Sequence, residues 1–377
     1  MLRPDRLRIV VAGMVAGVPH HGGATWAVLQ WVLGLRRLGH DVVLVEPVDV
    51  LRPPSVSYFR SVAADFGLAD RAALVDGRGR TEGVPFPQLA AFARHADVVV
   101  NVAGMLRHAE LVHPAPARVY LDLDPAFTQL WQADGIDMGF DGHTHFVTVG
   151  LNIGAAENTI PTDGRRWLTT LPPVVLTAWP AAGPVTTPAF TTVASWRGYG
   201  SVEHDGVRHG QKAHAWRAFV ELPRLAPAAL LPALGIHPGE HKDVALLEEH
   251  GWRWLDPEAV AHDPDAYRSF IQGSLGELAI AKEGYVVSRS GWFSDRSACY
   301  LASGRPVVAQ DTGWSEHLPA DAGLLGFDSA DGAAAAMADV LAEPERHRVA
   351  ARRIAEEHLD SDRVLGAVLE AVLEATR

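Results

Sequence analysis

The sequence predicts an α/β protein made of two domains, each built on a doubly wound parallel sheet. The chain opens on a strand–loop–helix–strand unit over residues 8–45, and further apolar runs alternate with helical stretches up to residue 149. The second half contains a loop, a helix and a buried strand in quick succession over residues 285–313. At 377 residues, the chain is long enough for two hydrophobic cores.

The opening unit places a loop directly after a buried strand. The strand covers residues 8–13, and the loop over 14–23 ends in four residues of chemical interest. These are His20, His21, Gly22 and Gly23. Apolar residues then recur in steps of four and three, which predicts a helix, and residues 41–45 form the second strand. A glycine pair suits a place where the backbone approaches a ligand closely, because a side chain would hold the backbone away.

A dinucleotide site is the rival interpretation of this unit. Such a site requires G-x-G-x-x-G directly after the first strand and an acidic residue at the end of the second strand. Glu46 meets the second requirement, but the glycines at 13, 17, 22 and 23 do not meet the first. The pattern therefore disfavours a dehydrogenase.

Three further strands are predicted in the first half, over residues 97–102, 118–123 and 146–149. Asp122 and Asp124 stand at the end of the second of these strands. A proline-rich segment over 161–188 is typical of an interdomain connection. We therefore expect three parts of the chain, with these bounds. They are an acceptor-side domain over 1–182, a donor domain over 183–350, and a helical tail over 351–377.

The stretch over 285–313 has the features of an anion site. Ser294 is a good N-cap for a helix that runs to about Ala302, and Gly304 suits its C-terminal end. The first N–H groups of a helix lack intrahelical partners and carry partial positive charge, so they bind phosphate well. Arg289 and Arg296 stand on either side of this helix start. An ordinary capped helix with a surface ion pair is the simpler alternative.

The run ASGRPVV over residues 302–308, followed by Asp-Thr-Gly over 311–313, resembles the donor-site segment of GT-B glycosyltransferases. The opening unit resembles the start of the same enzymes. The resemblance implies two Rossmann-like domains facing across a cleft, with the last helix crossing back to the first domain. Many retaining members carry two glutamates before this run, and the corresponding positions here are Gly291 and Cys299. The resemblance therefore does not extend to retaining chemistry.

The resemblance also implies a function. A sugar would move from a nucleotide-diphosphate donor to a hydroxyl or amine of a small-molecule or glycan acceptor, as in natural product or glycan biosynthesis. The nucleotide sugar would be a co-substrate, and neither a metal nor a cofactor would be needed. A GT-B-fold nucleotide-sugar epimerase and a non-catalytic sugar-nucleotide-binding protein are the two alternatives, because the sequence motifs concern binding rather than transfer.

Fourteen residues receive roles from this resemblance. One of His20 and His21 would deprotonate the acceptor, and Asp122 or Asp124 would orient the imidazole. The donor would contact the remaining residues of the set. These are Gly22, Gly23, Lys212, His237, Lys282, Arg289, Ser290, Gly291, Ser294 and Arg296. His237 also opens an H-x-x-E-H pattern, but the Pro-Gly pair at 238–239 breaks the helix that a zinc site would need.

Composition sets the expected partners and compartment. A net charge of −12 argues against a nucleic acid partner, which would need a basic face. The single cysteine excludes an intrachain disulfide and fits a reducing cytoplasm. No apolar run approaches the roughly 18 residues that a transmembrane helix needs. The oligomeric state does not follow from the sequence.

Overall fold

The computed structural model describes residues 6–376, which form two α/β units. The first unit is an eight-stranded sheet in the order β4-β3-β2-β1-β5-β6-β7-β8, parallel except for β4. Its strands are β1 (Arg8–Ala12), β2 (Asp41–Val48), β3 (Ala72–Asp76), β4 (Thr81–Gly83), β5 (Val98–Val102), β6 (Ala117–Asp122), β7 (His145–Thr148) and β8 (Trp167–Thr169). Its helices are α1 (Gly22–Arg37), α2 (Pro53–Asp65), α3 (Phe86–Ala93), α4 (Ala109–Val112) and α5 (Phe127–Ala133).

The second unit is centred on a five-stranded parallel sheet in the order β13-β9-β15-β16-β17, joined by a parallel pair β10-β14 and a hairpin β11-β12. Its strands are β9 (Thr187–Thr191), β10 (Val193–Ser195), β11 (Val202–His204), β12 (Val207–His209), β13 (Ala229–Leu230), β14 (Ala233–Gly235), β15 (Ser274–Ala279), β16 (Val307–Gln310) and β17 (Leu324–Phe327). Its helices are α6 (Lys212–Ala218), α7 (Leu222–Leu225), α8 (His241–Glu249), α9 (Pro257–Ala261), α10 (Pro264–Gly273), α11 (Glu283–Val287), α12 (Asp295–Ala302) and α13 (Ala330–Ala342).

The chain passes between the two units twice. After β8 it enters the second unit at β9, and it returns through α14 (Pro344–Ile354), a π-helical turn (Ala355–Leu359) and α15 (Ser361–Thr376). The two passing segments hydrogen-bond each other, since Val174 N donates to Leu359 O at 2.8 Å and Ser361 N donates to Val174 O at 2.9 Å. The last helix packs on α1 and β6 of the first unit, so the predicted crossing of the tail is confirmed.

One large hydrophobic core spans both units. Apolar side chains of α1 pack with those of α10 and α12, and Trp26 of α1 donates its indole N–H to Pro264 O at 2.8 Å. Two smaller cores lie on the far faces of the two sheets. The units therefore pack against each other through a broad apolar contact, and the crossing segments are not all that joins them.

The fold class predicted from sequence is confirmed, and three details differ. The sequence pattern also predicts a strand over residues 251–255, but these residues form none, because only Leu255 pairs with the sheet, through an isolated bridge to Ala233. The proline-rich segment is not merely a linker, since β8 extends the first sheet and Trp179 is fully buried. Strand β3 lies within residues 51–95, where the sequence pattern is irregular to helical and predicts no strand. Within residues 6–376 we find no helix long and apolar enough to cross a lipid bilayer.

Candidate functional site

The carboxyl ends of the two sheets carry most of the polar side chains of interest. In each sheet the strand order reverses beside the first strand, at β1 with β5 and at β9 with β15. Ligands of open α/β sheets bind outside the carboxyl ends of the strands at such reversal points. The loops after β1 and β15 are therefore the places to look for a site.

A polar cluster joins the two units across these edges. Lys282, three residues after β15, places its Nζ 3.0 and 3.1 Å from the two carboxylate oxygens of Asp124. The hydroxyls of Tyr199 and Tyr285 donate to the same carboxylate. The ammonium also lies 4.3 Å from the centroid of the Tyr199 ring, a cation–π contact. Burial lowers the pKa of Lys282, and the charge of Asp124 opposes that shift.

The carboxylate of Asp122 forms all its hydrogen bonds within the first unit. Its Oδ1 accepts from the Thr128 hydroxyl at 2.7 Å and from Asp124 N at 2.9 Å, and its Oδ2 accepts from Gln129 at 2.9 Å and Thr148 at 2.7 Å. Burial raises the pKa of Asp122, and these four donors oppose the rise. Of the two predicted aspartates, Asp124 is the one that reaches across the cleft.

A second charged group lies beneath the edge of the second sheet. Arg296 forms an ion pair with Glu277 of β15 and donates to Val193 O at 3.0 Å. Lys212 donates to Ile280 O, and burial followed by the charges of Arg296 and Lys282 lowers its pKa well below the ordinary value. The second carboxylate oxygen of Glu277 is buried without a hydrogen-bond partner. Three basic side chains thus converge at the end of β15, and Glu277 and Asp124 are the carboxylates paired with two of them.

The start of α12 has the predicted local geometry. Ser294 is its N-cap, and its hydroxyl accepts from Arg296 N at 3.2 Å. The residues just before it are docked on the first unit. Asn152 N donates to Ser290 O at 3.1 Å, and a Cβ on Gly291 would lie 2.9 Å from Asn152 N. In this structure Ser290 and Gly291 therefore contact the first unit's own backbone, and Arg289 forms an exposed ion pair with Glu316.

The histidine–glycine loop meets the second unit in a similar way. A Cβ on Gly22 would lie 2.1 Å from Asp263 O, so glycine is needed because the chain itself approaches this closely. Gly23 faces the ring of Tyr267. His20 has a left-handed backbone (φ +66°), and its ring lies 5.3 Å from that of Tyr58. Within the described part of the chain, neither imidazole of the pair is hydrogen-bonded to Asp122 or Asp124.

His237 lies away from these clusters. It is exposed after β14, and its Nδ1 accepts from Gly239 N at 3.0 Å. That bond closes a tight turn at the carboxyl end of β14. Lys212, Lys282 and Arg296 lie together at the end of β15. Four other predicted donor residues line the contact between the units, namely Gly22, Gly23, Ser290 and Gly291.

A cavity of about 820 Å³ opens at the carboxyl edge of the first sheet. Loops after β1, β2, β3 and β5 line it, and Val18 and Val50 stand half exposed at its walls. Arg52, Arg107 and Glu46 supply charge to the lining. Ligand cavities in proteins typically measure about 300–1,000 Å³ and combine apolar walls with a few polar groups. This cavity fits that description.

No protein-family model matches this chain, and no curated protein matches it. Several solved structures do match it in fold. An α-glucosyltransferase in complex with UDP and a 13-mer DNA shares 12% identity at a TM-score of 0.64, over 98% of this chain and 100% of that one. Anabaena HepE in complex with UDP-glucose shares 11% identity with this chain at a TM-score of 0.60, over 97% of this chain and 99% of that one. Sucrose-phosphate synthase from Thermosynechococcus elongatus shares 12% identity at a TM-score of 0.55, over 98% of this chain and 100% of that one.

The chain has the GT-B fold. Coverage of nearly the whole of each chain means that both units and the returning tail are matched, although sequence identity is low. The resemblance stated on the 302–313 segment is confirmed at the level of fold.

One expectation about partners is corrected by these structures. The acidic net charge led us to exclude nucleic acid, but four matching structures are α-glucosyltransferases bound to DNA. The exclusion was wrong because net charge describes a whole chain, whereas a phosphate backbone responds to the charge of one surface. An acidic chain with this fold therefore cannot be separated from nucleic acid by composition.

Sequence reasoning missed several residues of the GT-B cleft. Glu277 could have been identified from the sequence, because a carboxylate inside the apolar run of a buried strand requires a buried partner. Tyr199 and Tyr285 could not, since their partner Asp124 lies 75 and 161 residues away in the chain. Glu46 was considered only as a test for a dinucleotide site, yet it lines the cavity of the first unit.

Proposed function

We propose that this chain is a glycosyltransferase that moves a sugar from a nucleotide-diphosphate donor to a hydroxyl or amine of an acceptor. The observation that carries the proposal is the convergence of Lys212, Lys282 and Arg296 at the end of β15, where the strand order reverses. A bound diphosphate would add negative charge beside these basic groups and favour the charged form of Lys212, whose pKa is lowered by burial and by its basic neighbours. The fold, shared with proteins solved with UDP or UDP-glucose, supports the same conclusion.

The cations would act on the leaving group. When the bond from the sugar to the diphosphate breaks, the diphosphate gains negative charge, and fixed positive groups stabilise that charge most in the transition state. Lys282 now has the Asp124 carboxylate as its partner. A phosphate oxygen would replace that carboxylate, so donor binding would release Asp124 towards the acceptor. The free N–H groups at the start of α12 would add to the field.

The acceptor would enter the 820 Å³ cavity of the first unit. One of His20 and His21, at the end of the loop that forms one wall of this cavity, would take the proton from its hydroxyl. In this structure His20 lines a separate cavity of about 410 Å³ with Tyr58 and Asp263, so the loop would have to bring the imidazole to the acceptor. The strained backbone of His20 is typical of a functional position. Asp124 is the better candidate to orient that imidazole, because the four acceptor positions of Asp122 are already used. Arg289, Ser290 and Gly291 would reach the donor only if the 288–292 loop left the first unit.

The proposal also covers the domain bounds, the need for a metal or cofactor, and the location of the protein. We propose domain bounds of 1–182 and 183–350 with the tail over 351–377, and transfer that requires neither a metal nor a cofactor. A cytoplasmic location is proposed because the single cysteine suits a reducing compartment.

Binding of nucleoside diphosphates tests the proposal. UDP, GDP, ADP and CDP should be screened by thermal shift, because a ligand present at 100 times its Kd stabilises the native state by about 2.7 kcal/mol. Lys282→Gln should weaken binding of the successful diphosphate about 10- to 100-fold, since it removes a charge-assisted contact. Lys242→Gln, at an exposed lysine of α8, is the matched control and should bind normally.

Product analysis then separates transfer from the alternatives. The matching nucleotide sugar is incubated with small alcohols, glycans and DNA, and the products are analysed by mass spectrometry. A glycosylated acceptor supports the proposal, an isomerised donor indicates an epimerase, and an unchanged donor that binds indicates a binding protein. If no diphosphate raises the melting temperature, the transferase proposal is rejected. If a diphosphate binds equally well to Lys282→Gln, the donor site is not where we place it.

A further inference from the structure

Glu46 is a buried carboxylate that the proposed chemistry does not use. It lies on β2 near the carboxyl end of the strand and is 1% exposed. Ala16 N donates to its two oxygens at 3.0 and 2.8 Å, and Gly17 N donates to Oε1 at 2.5 Å. A Cβ on Gly17 would lie only 3.0 Å from that oxygen. The loop after β1 is thus closed tightly onto this one carboxylate.

The same loop is held on its other side by a smaller set of contacts. The Thr25 hydroxyl donates to Val15 O at 3.3 Å and lies 2.9 Å from the Tyr58 hydroxyl. His20 follows with its left-handed backbone and its ring against Tyr58. The loop forms one wall of the 820 Å³ cavity and ends in the histidine pair. Glu46 therefore fixes the segment that connects the cavity wall to the histidines.

No cation neutralises this carboxylate within residues 6–376. Arg52, Arg107, His108 and Asp49 line the same cavity, and Tyr58 faces the loop from α2, but none forms an ion pair or hydrogen bond with Glu46. Its bonds come from backbone N–H groups. Burial raises the pKa of Glu46 to about 7, and the N–H groups of Ala16, Gly17 and Val15 oppose the rise. The group therefore changes charge in the neutral range.

We propose that Glu46 is a positioning residue for acceptor use, whose carboxylate form holds residues 13–21 in the arrangement that the acceptor needs. The inference rests on the proposed transferase function. A carboxylate only accepts hydrogen bonds, so it satisfies both loop N–H groups. The protonated acid presents an O–H, which gives it one acceptor position fewer on the side facing those donors. Protonation therefore weakens the bonds to the loop locally and does not touch the donor site. Global stability changes in the opposite direction, because burial of the side chain disfavours its charged form.

Hydrogen–deuterium exchange of the 13–21 segment tests the loop directly. Exchange is measured between pH 5.5 and 8.5 and divided by the intrinsic rate at each pH. We expect wild-type protection to fall about 10-fold from pH 8.5 to pH 5.5, and Glu46→Gln to show the low value at every pH. Glu82→Gln, which removes the partner of Arg60 at the edge of the same sheet, should behave as wild type. Wild-type protection that does not change with pH would overturn the proposal, even if Glu46→Gln does not fold.

Kinetics provide the functional half of the test. With the donor and acceptor identified by the screens above, the acceptor KM of the wild type should rise about 10-fold on the acid side of pH 7. In Glu46→Gln it should be high and lack this step, while the affinity for the diphosphate stays unchanged. A variant with wild-type acceptor KM and pH profile would contradict a positioning role. Failure of every diphosphate to bind would instead reject the transferase function and leave the exchange result standing.

Discussion

The two sheet edges that face each other handle buried charge in different ways. At the first edge, Glu46 is held by backbone N–H groups and no cation is paired with it in the described chain. At the second edge, Arg296 and Glu277 neutralise each other, and Lys282 is neutralised by a residue of the opposite unit. A backbone-held carboxylate can gain a proton near neutral pH, whereas a paired cation cannot lose its charge cheaply. The first edge can therefore change its charge near neutral pH, whereas Arg296 and Glu277 keep their paired charges at the second edge.

The largest expected effect lies at the first edge, on the histidine pair. If His20 or His21 is the base, replacing that residue by alanine should lower kcat about 10²- to 10⁴-fold and leave diphosphate affinity unchanged. Steady-state kinetics and thermal shift measure the two quantities separately. His95→Ala, at an exposed histidine after α3, is the matched control. Near-normal kcat in both single variants and in the double variant would remove the base from this loop.

At the second edge, the contrast predicts a large loss of stability. Glu277→Ala leaves the Arg296 guanidinium buried without its carboxylate, which should cost about 3–5 kcal/mol. Urea denaturation measures the change. Glu316→Ala breaks the exposed pair with Arg289 and should cost at most about 1 kcal/mol. Equal losses in the two variants would mean that Glu277 and Arg296 are solvated after all.

The pH dependence of stability should separate the edges further. Because the folded pKa of Glu46 is raised to about 7 from an ordinary 4.5, its stabilising contribution is present below about pH 4.5 and is lost as pH rises through 7. A shift of this size corresponds to about 3 kcal/mol. Glu46→Gln does not show this loss. The difference in free energy of unfolding, variant minus wild type, should therefore rise by up to about 3 kcal/mol between pH 5 and pH 8. A constant difference across that range would show an unshifted carboxyl group.

The smallest expected effect concerns the start of α12. Ser294→Ala removes a helix cap and should cost about 1 kcal/mol, with little change in diphosphate affinity. Ser329→Ala, which removes the cap of α13 where Ser329 accepts from Gly332 N at 3.3 Å, should cost a similar amount. Affinity that falls more than about 10-fold in the first variant alone would show that the Ser294 hydroxyl itself contacts the phosphate.

The elements that sequence predicted well are those whose signal is local. Apolar runs located β1, β2, β5 and β6, and Ser294 with Gly304 bracketed α12 correctly, because a cap and a left-handed turn are properties of a few consecutive residues. The glycine pair at 22–23 was expected to let the backbone approach a ligand closely, and that role stays a prediction. Its partner in the structure is the backbone at Asp263, which no pattern near residue 22 could indicate.

The arrangement of the site depended on contacts across the cleft. Asp124 and Lys282 are 158 residues apart, and each alone reads as an ordinary charged residue at the end of a strand. Sequence identified both of them as candidates but gave no reason to pair them. The docking of residues 288–292 on the first unit was equally hidden, because the side-chain amides of Asn152 and Asn158 that bind this loop lie 130 to 137 residues away in the chain.

The paired passage at Val174 and Leu359–Ser361 has a mechanical consequence. Two crossing segments that are hydrogen-bonded to each other restrict the relative rotation of the units more than a single segment would. Separating the two crossing segments would break the bonds from Val174 N and to Val174 O, so we expect any relative movement of the units to keep this pair together. A pair of fluorescent labels on the two sides of the cleft, near Asp124 and Lys282, would follow such a movement.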